Sequence, residues 1–533
     1  MNRFEDRYLQ YDLARSRVFD KTEIQDLLQF MQKAGYNGLA LYLEASFAFE
    51  SIEGIIRPGV MTPEDAAWLV EVAGKRGIRV MPMTNLFGHM EQFVDRETYA
   101  YLSDQGKGQV DFTSSVAEDF AIQIATEYSK HFKTDTVHIG ADETELDDNS
   151  RPLYAAFLAR VCRRLLDQGI IPAIWSDMLW MHPELVTDIP RECIIFDWNY
   201  YGHRPDSLKF WKEHGFEKVL VCPADQSWEG FITCYRTSGH LKATMDPIGL
   251  DEVEAFLVDG FEFGTPGACL TTWEHRFGNS FWSQLVPMAR AGLYISGQWT
   301  PGTPDEAIVE HTIFGRTTPY SAVTKILREN CQAPLYDVTE FYPSTPRTAL
   351  YLRDALVRYL INAPIVADRL VSKWKTGIQQ AESMLGRWTS ESKFEDRCLA
   401  GMRLTCSIVK TSLALLEAAS AAYEDYHTAA MIQFQDSAKA VELLNAAAAR
   451  LDALEPEFAS LEKLAIKVIS TSGHPRADQN LIPQRMADIS WLAETIRTAA
   501  SDLTDDKLRH VNILSWRRII NKAILSEPVW GFI

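Results

Sequence analysis

Two adjacent carboxylates, Asp142 and Glu143, stand just beyond a short apolar stretch, Thr136–Ile139, from which a glycine and an alanine separate them. Neighbouring side chains of an extended chain point to opposite sides, so both acids reach one site only if the chain turns here. Adjacent acids also raise each other's pKa, which favours a proton on one of them near neutral pH. The pair therefore fits general acid–base chemistry. A solvated acidic loop is the alternative, because three more acids follow within five residues.

Other apolar runs of the first 300 residues also end in polar or aromatic side chains. Tryptophan stands in or just after four consecutive runs, the fifth to the eighth. One such tryptophan fits core packing, whereas four together suit the apolar face of a sugar ring, with nearby acids available for its hydroxyls. The residues concerned are Asn85 and His89 after the third run, then Trp175, Asp177, Asp197, Trp198, Tyr200, Tyr201, Asp225, Trp228, Trp273 and Glu274.

The apolar runs themselves indicate the elements that position these side chains. Amphipathic stretches with helical spacing separate them, and the stretch from Thr62 begins with a threonine cap and a proline. Eight alternating units predict an α/β fold, a (β/α)8 TIM barrel over residues 1–318. An open doubly wound sheet is the competing fold, but no GxGxxG follows the first run. The predicted strands are Tyr8–Leu13, Gly38–Leu43, Ile78–Met83, Thr136–Ile139, Ile171–Trp175, Cys193–Trp198, Val219–Cys222 and Ala268–Thr272.

Beyond about residue 320 the sequence changes character. Long alanine- and leucine-rich segments with helical spacing replace the short apolar runs. They predict an all-α helical C-terminal domain over residues 319–533, in which the sequence SGHPRADQNLIP breaks the pattern near residue 473. The sequence leaves open whether this domain forms a homodimer or shapes the edge of the pocket.

Composition narrows the classes of partner. The 533 residues include 53 Lys and Arg against 72 Asp and Glu, a net charge of −19 that disfavours binding to nucleic acid and to anionic membranes. No run of 18 apolar residues occurs, so we predict no membrane-spanning helix. The eight cysteines are scattered without metal-ligand spacing, so we expect reduced core thiols and neither a metal nor a cofactor. With no apolar leader at the start, a cytoplasmic protein is expected.

Three motifs resemble family 20 of the glycoside hydrolases, the β-N-acetylhexosaminidases. HIGADET is similar to that family's H-x-G-G-D-E segment, with Ala141 in place of the second glycine. NLFGHMEQF resembles its P-G-H turn, and RYLQYDLAR keeps the spacing of its R-x4-D-x2-R pattern. The short chain before the first strand and the helical C-terminal domain resemble the compact intracellular branch that includes hexosaminidase D-like enzymes.

The resemblance implies a retaining exo-β-N-acetylhexosaminidase that removes terminal β-linked N-acetylglucosamine or N-acetylgalactosamine. The acetamido oxygen of the substrate, not a protein carboxylate, would attack the anomeric carbon and form an oxazolinium intermediate. By this resemblance Glu143 is the general acid and then the base, and burial or neighbouring charge raises its pKa. Asp142 would hold the acetamido N–H in its ionised form.

The resemblance also implies binding roles. Trp175, Trp198 and Trp273 would wall the acetamido pocket. Tyr200 or Tyr201 would donate to the acetamido oxygen, although this family usually places that tyrosine after the seventh strand. His89 would support the site, and the remote hydroxyls would be bound by Arg7, Asp225 and Glu274, the last of which directly follows its tryptophan here.

Two other hypotheses remain open at this point. One is a glycosidase with two protein carboxylates, in which Glu143 is the acid and Asp177, Asp225 or Glu274 is the nucleophile. The other is a non-catalytic sugar-binding barrel. The sequence does not decide between gluco and galacto substrates.

Overall fold

A computed structural model describes residues 3–14, 19–53, 59–103, 108–225, 249–273, 281–298, 304, 307–331, 346–469, 481–504 and 514–525. In it, eight parallel strands close into a barrel in sequence order. The strands are β1 (Asp6–Asp12), β2 (Gly38–Tyr42), β3 (Arg79–Met83), β4 (Thr136–His138), β5 (Ile171–Trp175), β6 (Ile194–Trp198), β7 (Val219–Cys222) and β8 (Gly267–Leu270). The predicted barrel is confirmed, and strand bounds move by up to two residues.

Local sequence signals set the helices between the strands. Helix α1 begins after Asp20, whose side chain accepts the Glu23 N–H, and ends at Gly35 with a left-handed φ of 89°. The Thr62–Asp65 pair forms a capping box at the start of α2. The helices around the barrel are α1 (Lys21–Ala34), α2 (Pro63–Gly74), α3 (Glu91–Val94), α4 (Ser115–Phe132), α5 (Ser150–Asp167), α6 (Asp177–Met181), α7 (Pro205–Glu213), α8 (Gly249–Phe263) and α9 (Leu285–Ile295). Within the described ranges, 3-10 helices lie at Glu97–Leu102, Pro183–Asp188 and Phe281–Ser283.

The register of the barrel brings all the strand ends to one rim. Each strand pairs in parallel with the next, and β8 closes on β1 through the pair Arg7 and Ala268. Side chains that alternate along the strands fill the barrel interior: Tyr8, Ala40, Tyr42, Met81, Met83, Ala173, Trp175, Phe196, Leu220, Cys222 and Cys269. Six cysteines of the described residues are buried, and none of these six forms a disulfide there.

The C-terminal region is helical, which confirms the predicted fold class. It contains α10 (Tyr320–Cys331), α11 (Pro346–Arg387), α12 (Lys393–Ile432), α13 (Ser437–Asp452), α14 (Glu455–Ile469), α15 (Leu481–Thr504) and α16 (Trp516–Ile520), with π-helical segments at Ala307–Phe314 and Asn521–Leu525. Helix α12 lies centrally, in contact with α11, α13 and α14. The domain boundary at residues 318 and 319 stays a prediction.

Helix α12 also joins the helical region to the barrel. Its Arg397 pairs with Asp26 of α1 at 2.7 Å, and both side chains are largely buried. The ring of Phe394 meets Trp282 edge-on, with centroids 5.6 Å apart. The helical region therefore packs against the 3-10 helix Phe281–Ser283, which follows β8 in the chain.

We predicted that no helix could span a membrane, but α12 is long and apolar enough to do so if only length and composition are considered. One window of α12 has a mean hydropathy of 1.3 over 18 residues. That window is 72 % buried within the protein, as expected for the central helix of a bundle.

Candidate active site

The chain turns sharply where β4 ends. Gly140, Ala141 and Glu143 have φ values of 85°, 83° and 45°, in the left-handed region that side chains other than glycine seldom adopt. The turn brings both acids to one side chain: His89 Nε2 lies 2.9 Å from Glu143 Oε2 and 3.8 Å from Asp142 Oδ2. The turn that two cooperating carboxylates require is therefore present. The three groups are also close enough to share a cation, since their ligand atoms all lie within 4.8 Å of one another.

Glycines allow the loops after β3 and β4 to approach each other. A Cβ on Gly88 would lie 2.7 Å from the backbone oxygen of Asp142. A Cβ on Gly140 would lie 2.4 Å from Asn85 Oδ1 and 2.8 Å from its Cα. Distances below about 3 Å cannot be accommodated without moving the backbone of the facing loop.

We expect Gly140→Ala to misplace the carboxylates. The new methyl group would displace the backbone at Asn85, and a shift of about 1 Å in an active site can lower the rate by ~100-fold. Gly169→Ala is the matched control, because Gly169 has a similar φ of 78° and no atom within 4 Å of the added Cβ. Left-handed strain of about 1–2 kcal/mol is common to both variants. Equal losses of kcat/KM and of melting temperature in the two would contradict the close approach at Asn85.

Asp142 is the buried member of the carboxylate pair. Its side chain is 13 % exposed, and burial raises its pKa from 3.8 to about 7, with the charges of Asp177 and Glu143 adding to the rise and His89 opposing it. Oδ1 is buried and accepts no hydrogen bond from the described residues. A buried carboxylate oxygen without a donor is costly, so this atom is placed to accept a donor from a ligand.

Glu143 has the opposite environment. Its side chain is 55 % exposed, so burial, one of the two environments expected for Glu143, is found instead at Asp142. The backbone N–H of Glu143 donates to Asp177 Oδ2 at 2.9 Å, which fixes the backbone below the exposed carboxylate.

Asp177 is a positioning residue at the start of α6. Besides the bond to Glu143, its Oδ1 accepts the indole N–H of Trp198 at 3.0 Å. Both carboxylate oxygens are thus engaged, and burial raises its pKa. This arrangement disfavours Asp177 as the nucleophile of a glycosidase with two protein carboxylates. Its side chain instead connects the backbone of Glu143 to the indole of Trp198.

An aromatic wall lies at the C-terminal ends of β5, β6 and β8. The rings of Trp175 and Trp273 are 5.8 Å apart, and those of Trp198 and Tyr200 are 4.8 Å apart. The indole N–H of Trp273 donates to the Tyr200 hydroxyl at 2.9 Å, which joins the two pairs. The structure therefore brings together the three tryptophans that the sequence singles out. Of the two tyrosines, Tyr200 belongs to this wall, whereas Tyr201 is 58 % exposed.

His138 supports this wall from below. It is fully buried, and burial lowers its pKa to about 3, so the ring is neutral. Its Nδ1 accepts the Gly140 N–H at 3.2 Å, and its ring lies 4.4 Å from that of Trp175. The histidine therefore connects the turn after β4 to the aromatic wall.

The same region of the chain matches a known family. Residues 23–233 match the family model described as glycosyl hydrolase family 20, catalytic domain. The predicted resemblance to family 20 is confirmed. The matched residues include the turn after β4, His89, Trp175 and Trp198, whereas Trp273 lies beyond them.

The chain is also similar to individual proteins. Human hexosaminidase D is 23 % identical over 200 residues, which cover 33 % of this chain and 41 % of the human protein. The chain thus spans about two fifths of the length of this relative. A β-N-acetylhexosaminidase from Bacteroides fragilis is similar in structure with a TM-score of 0.45 and 16 % identity, over 57 % of this chain and 67 % of that one. An exo-β-N-acetylglucosaminidase from Vibrio harveyi gives a TM-score of 0.42 and 15 % identity, over 56 % and 55 %.

The structure corrects one binding role that the family 20 motifs implied. Arg7 lies at the N-terminal end of β1, at the opposite end of the barrel from Asp142, and its guanidinium donates to the backbone oxygens of Gly35 and Phe4. The prediction that Arg7 binds hydroxyl groups of the substrate is therefore wrong. Arg7 instead forms hydrogen bonds to the backbone at the N-terminal end of the barrel. Asp225, in contrast, is buried just after β7, where its N–H donates to the Thr271 oxygen at 3.1 Å. Glu274 lies outside the described residues, as does Trp228.

Sequence reasoning missed a further pair at this rim. Glu44 follows β2 with a φ of 42° and is buried, and the Tyr42 hydroxyl donates to its carboxylate. The Tyr42 ring meets Trp273 edge-on, with centroids 5.1 Å apart. The sequence contained a signal for Glu44, because this acid directly follows a predicted strand. A similar position just beyond a predicted strand drew attention to Asp142.

Proposed function

We propose that this protein is a retaining exo-β-N-acetylhexosaminidase that removes terminal β-linked N-acetylglucosamine or N-acetylgalactosamine. The observation that carries this proposal is the buried Asp142 with an oxygen that lacks a donor, beside an exposed Glu143 and an aromatic wall. The family 20 match over residues 23–233 supports a glycoside hydrolase. The names of the relatives support an amino sugar as substrate.

The first step breaks the glycosidic bond. The acetamido oxygen of the substrate attacks the anomeric carbon while Glu143 donates its proton to the departing oxygen. Asp142 Oδ1 accepts the acetamido N–H, which aligns the acetamido oxygen and stabilises the positive charge of the oxazolinium ring. His89, at 2.9 Å, holds the Glu143 carboxyl over the bond that breaks.

The second step returns the enzyme to its starting state. A water attacks the anomeric carbon and gives a proton to the Glu143 carboxylate, and the carbon–oxygen bond of the oxazolinium ring opens. Two displacements at the same carbon retain its configuration. Glu143 thus gains the proton that it donates in the next cycle.

The aromatic wall supplies proximity. Trp175 and Trp273 would pack on the acetamido methyl group and the sugar ring, and the Tyr200 hydroxyl would donate to the acetamido oxygen. Burial raises the pKa of Tyr200, which keeps its proton available. Holding the attacking oxygen at reacting distance is worth several kcal/mol, ~7 or more for a well-aligned intramolecular group.

Three aryl glycosides test the proposal. We expect the purified protein to release nitrophenol from the β-N-acetylglucosaminide or the β-N-acetylgalactosaminide, and not from the β-glucoside, which lacks the attacking group. A thiazoline analogue of the cyclic intermediate should be a competitive inhibitor. The ratio of kcat/KM for the two acetamido substrates would establish the gluco or galacto preference.

Each alternative gives a distinct outcome. Cleavage of the β-glucoside with indifference to the thiazoline would favour a protein nucleophile and overturn substrate assistance. Binding of N-acetylglucosamine without cleavage of any of the three would favour a sugar-binding barrel.

A further inference from the structure

Three side chains that could bind a metal ion lie close together on the outer side of the barrel, away from the active site. Glu127 and His131 lie one turn apart on α4, and Glu50 faces them from the segment after β2. His131 Nε2 lies 3.5 Å from Glu50 Oε2 and 3.8 Å from Glu127 Oε1. The ligand atoms of all three lie within 4.8 Å of one another.

His131 is the group that points to a ligand here. Its side chain is only 10 % exposed, and its Nε2 is buried and forms no hydrogen bond with the described residues. The Phe47 ring packs against the imidazole with centroids 5.7 Å apart, which holds the nitrogen towards the two carboxylates. A buried ring nitrogen without a hydrogen-bond partner requires an explanation, and a metal ion bound to it is one.

The separations suit a tetrahedral ion. Zn²⁺ binds histidine nitrogen and carboxylate oxygen at about 2.0–2.2 Å, so its donors stand roughly 3.3–3.6 Å apart. The observed 3.5 and 3.8 Å are close to this range. One nitrogen and two carboxylate oxygens also favour Zn²⁺ over Ca²⁺ or Mg²⁺, which prefer all-oxygen sites.

The neighbouring groups are compatible with an ion. Lys130 pairs with Glu50 at 2.7 Å, but its ammonium is exposed and can move into solvent. Glu127 Oε1, the oxygen nearer to His131, accepts the backbone N–H of Glu50 and retains a second lone pair, whereas Oε2 accepts both the backbone N–H and the hydroxyl of Ser51. These bonds hold Glu127 in place before an ion arrives.

We propose that Glu50, Glu127 and His131 form a Zn²⁺ site, with water as the fourth ligand, that links the segment after β2 to α4. The same segment carries Glu44, whose backbone oxygen accepts the Tyr128 hydroxyl of α4 at 2.9 Å. The ion would thus add a further attachment between this segment and α4, beside the hydrogen bonds that Glu127 accepts from Glu50 and Ser51. It takes no part in the hydrolysis proposed above.

Titration of the full-length, metal-free protein with Zn²⁺ alone tests the site. We expect calorimetry to give one equivalent bound to the wild-type protein, and Co²⁺ in its place to give the visible absorption of tetrahedral coordination. His131→Gln should abolish this binding, and Glu50→Gln, which changes an exposed ligand, should weaken it by about tenfold or more. Glu127 is not substituted, because its carboxylate also holds the backbone of Ser51.

His89→Gln is the control, because His89, Asp142 and Glu143 form the other group that could share a cation. Binding that persists in His89→Gln and is absent from His131→Gln supports the site. Absence of Zn²⁺ binding by the wild-type protein, or binding lost in His89→Gln and kept in His131→Gln, would overturn it. Neither result bears on cleavage of aryl glycosides, so the two proposals fail independently.

Discussion

Glu143→Gln is expected to lower kcat on an unactivated N-acetylhexosaminide by about 1,000-fold, within the range for loss of a general acid–base group. The amide is of similar size and keeps the contact with His89, but it has no proton to donate to the departing oxygen. With a nitrophenyl leaving group, which departs without a proton, the first step should be much less affected. Binding of the substrate should change little, because the carboxyl acts on the bond that breaks.

Glu145→Gln is the matched control for this variant. Glu145 lies two residues further along the same loop, is exposed, and loses the same charge on substitution. We expect its kcat to stay within about twofold of the wild type, as for most surface substitutions. Steady-state kinetics on both leaving groups would reveal the difference. A Glu143→Gln enzyme with full activity on the unactivated substrate would disprove the assignment of the acid.

Asp142→Asn is expected to lower kcat by ~100-fold or more on both kinds of leaving group. Asp142 acts on the acetamido group and not on the departing oxygen, so a better leaving group does not compensate for its loss. This insensitivity separates the two acids experimentally. An Asp142→Asn variant that recovers full rate on nitrophenyl substrates would contradict the role in aligning the acetamido group.

The same substitution should stabilise the folded protein. The pKa of Asp142 is about 7 in the folded state against an ordinary value of 3.8, so between these pH values the folded protein binds a proton that the unfolded chain has released. The contribution of this carboxyl to the free energy of unfolding therefore falls as the pH rises from about 4 to about 7, and stays low above that. At about 1.4 kcal/mol per pKa unit, the cost at pH 8 is on the order of 4 kcal/mol.

Denaturant unfolding at pH 4 and at pH 8 checks this prediction. Relative to the wild type, Asp142→Asn should gain little at pH 4 and most at pH 8. Asp148→Asn is the control, because its side chain is 91 % exposed and its stability should change by less than about 0.5 kcal/mol at either pH. A gain at pH 8 no larger than that of the control would show that Asp142 ionises without cost in the folded protein.

The order of the elements could be predicted from the sequence because it depends on local patterns. Apolar runs separated by capped amphipathic stretches specify eight strand–helix units, and parallel strands so connected bring their ends to one rim. The position of Asp142 and Glu143 at that rim follows from chain order alone. The aromatic wall was predictable for the same reason, since each tryptophan stands at or just after a strand end.

Side-chain environments could not be predicted in this way, because they depend on residues distant in sequence. Arg7 fits a binding motif by its spacing, yet it lies at the wrong end of its strand and bonds to the oxygen of Gly35. The sequence does not distinguish Tyr200 from Tyr201. In the structure the Trp273 indole donates a hydrogen bond to the hydroxyl of Tyr200. By sequence Asp177 is a potential nucleophile, but in the structure its two carboxylate oxygens accept hydrogen bonds from Glu143 and Trp198.

The sequence by itself determined the barrel, the helical region and the two adjacent carboxylates, because these follow from periodicity and from position along the chain. Only the tertiary structure decided which carboxyl is buried. The left-handed turn at Gly140 and Ala141 directs Asp142 inward and Glu143 outward, and packing around Asp142 raises its pKa. Burial is a property of the surrounding residues, contributed here by several strands and loops, so no local stretch of sequence encodes it.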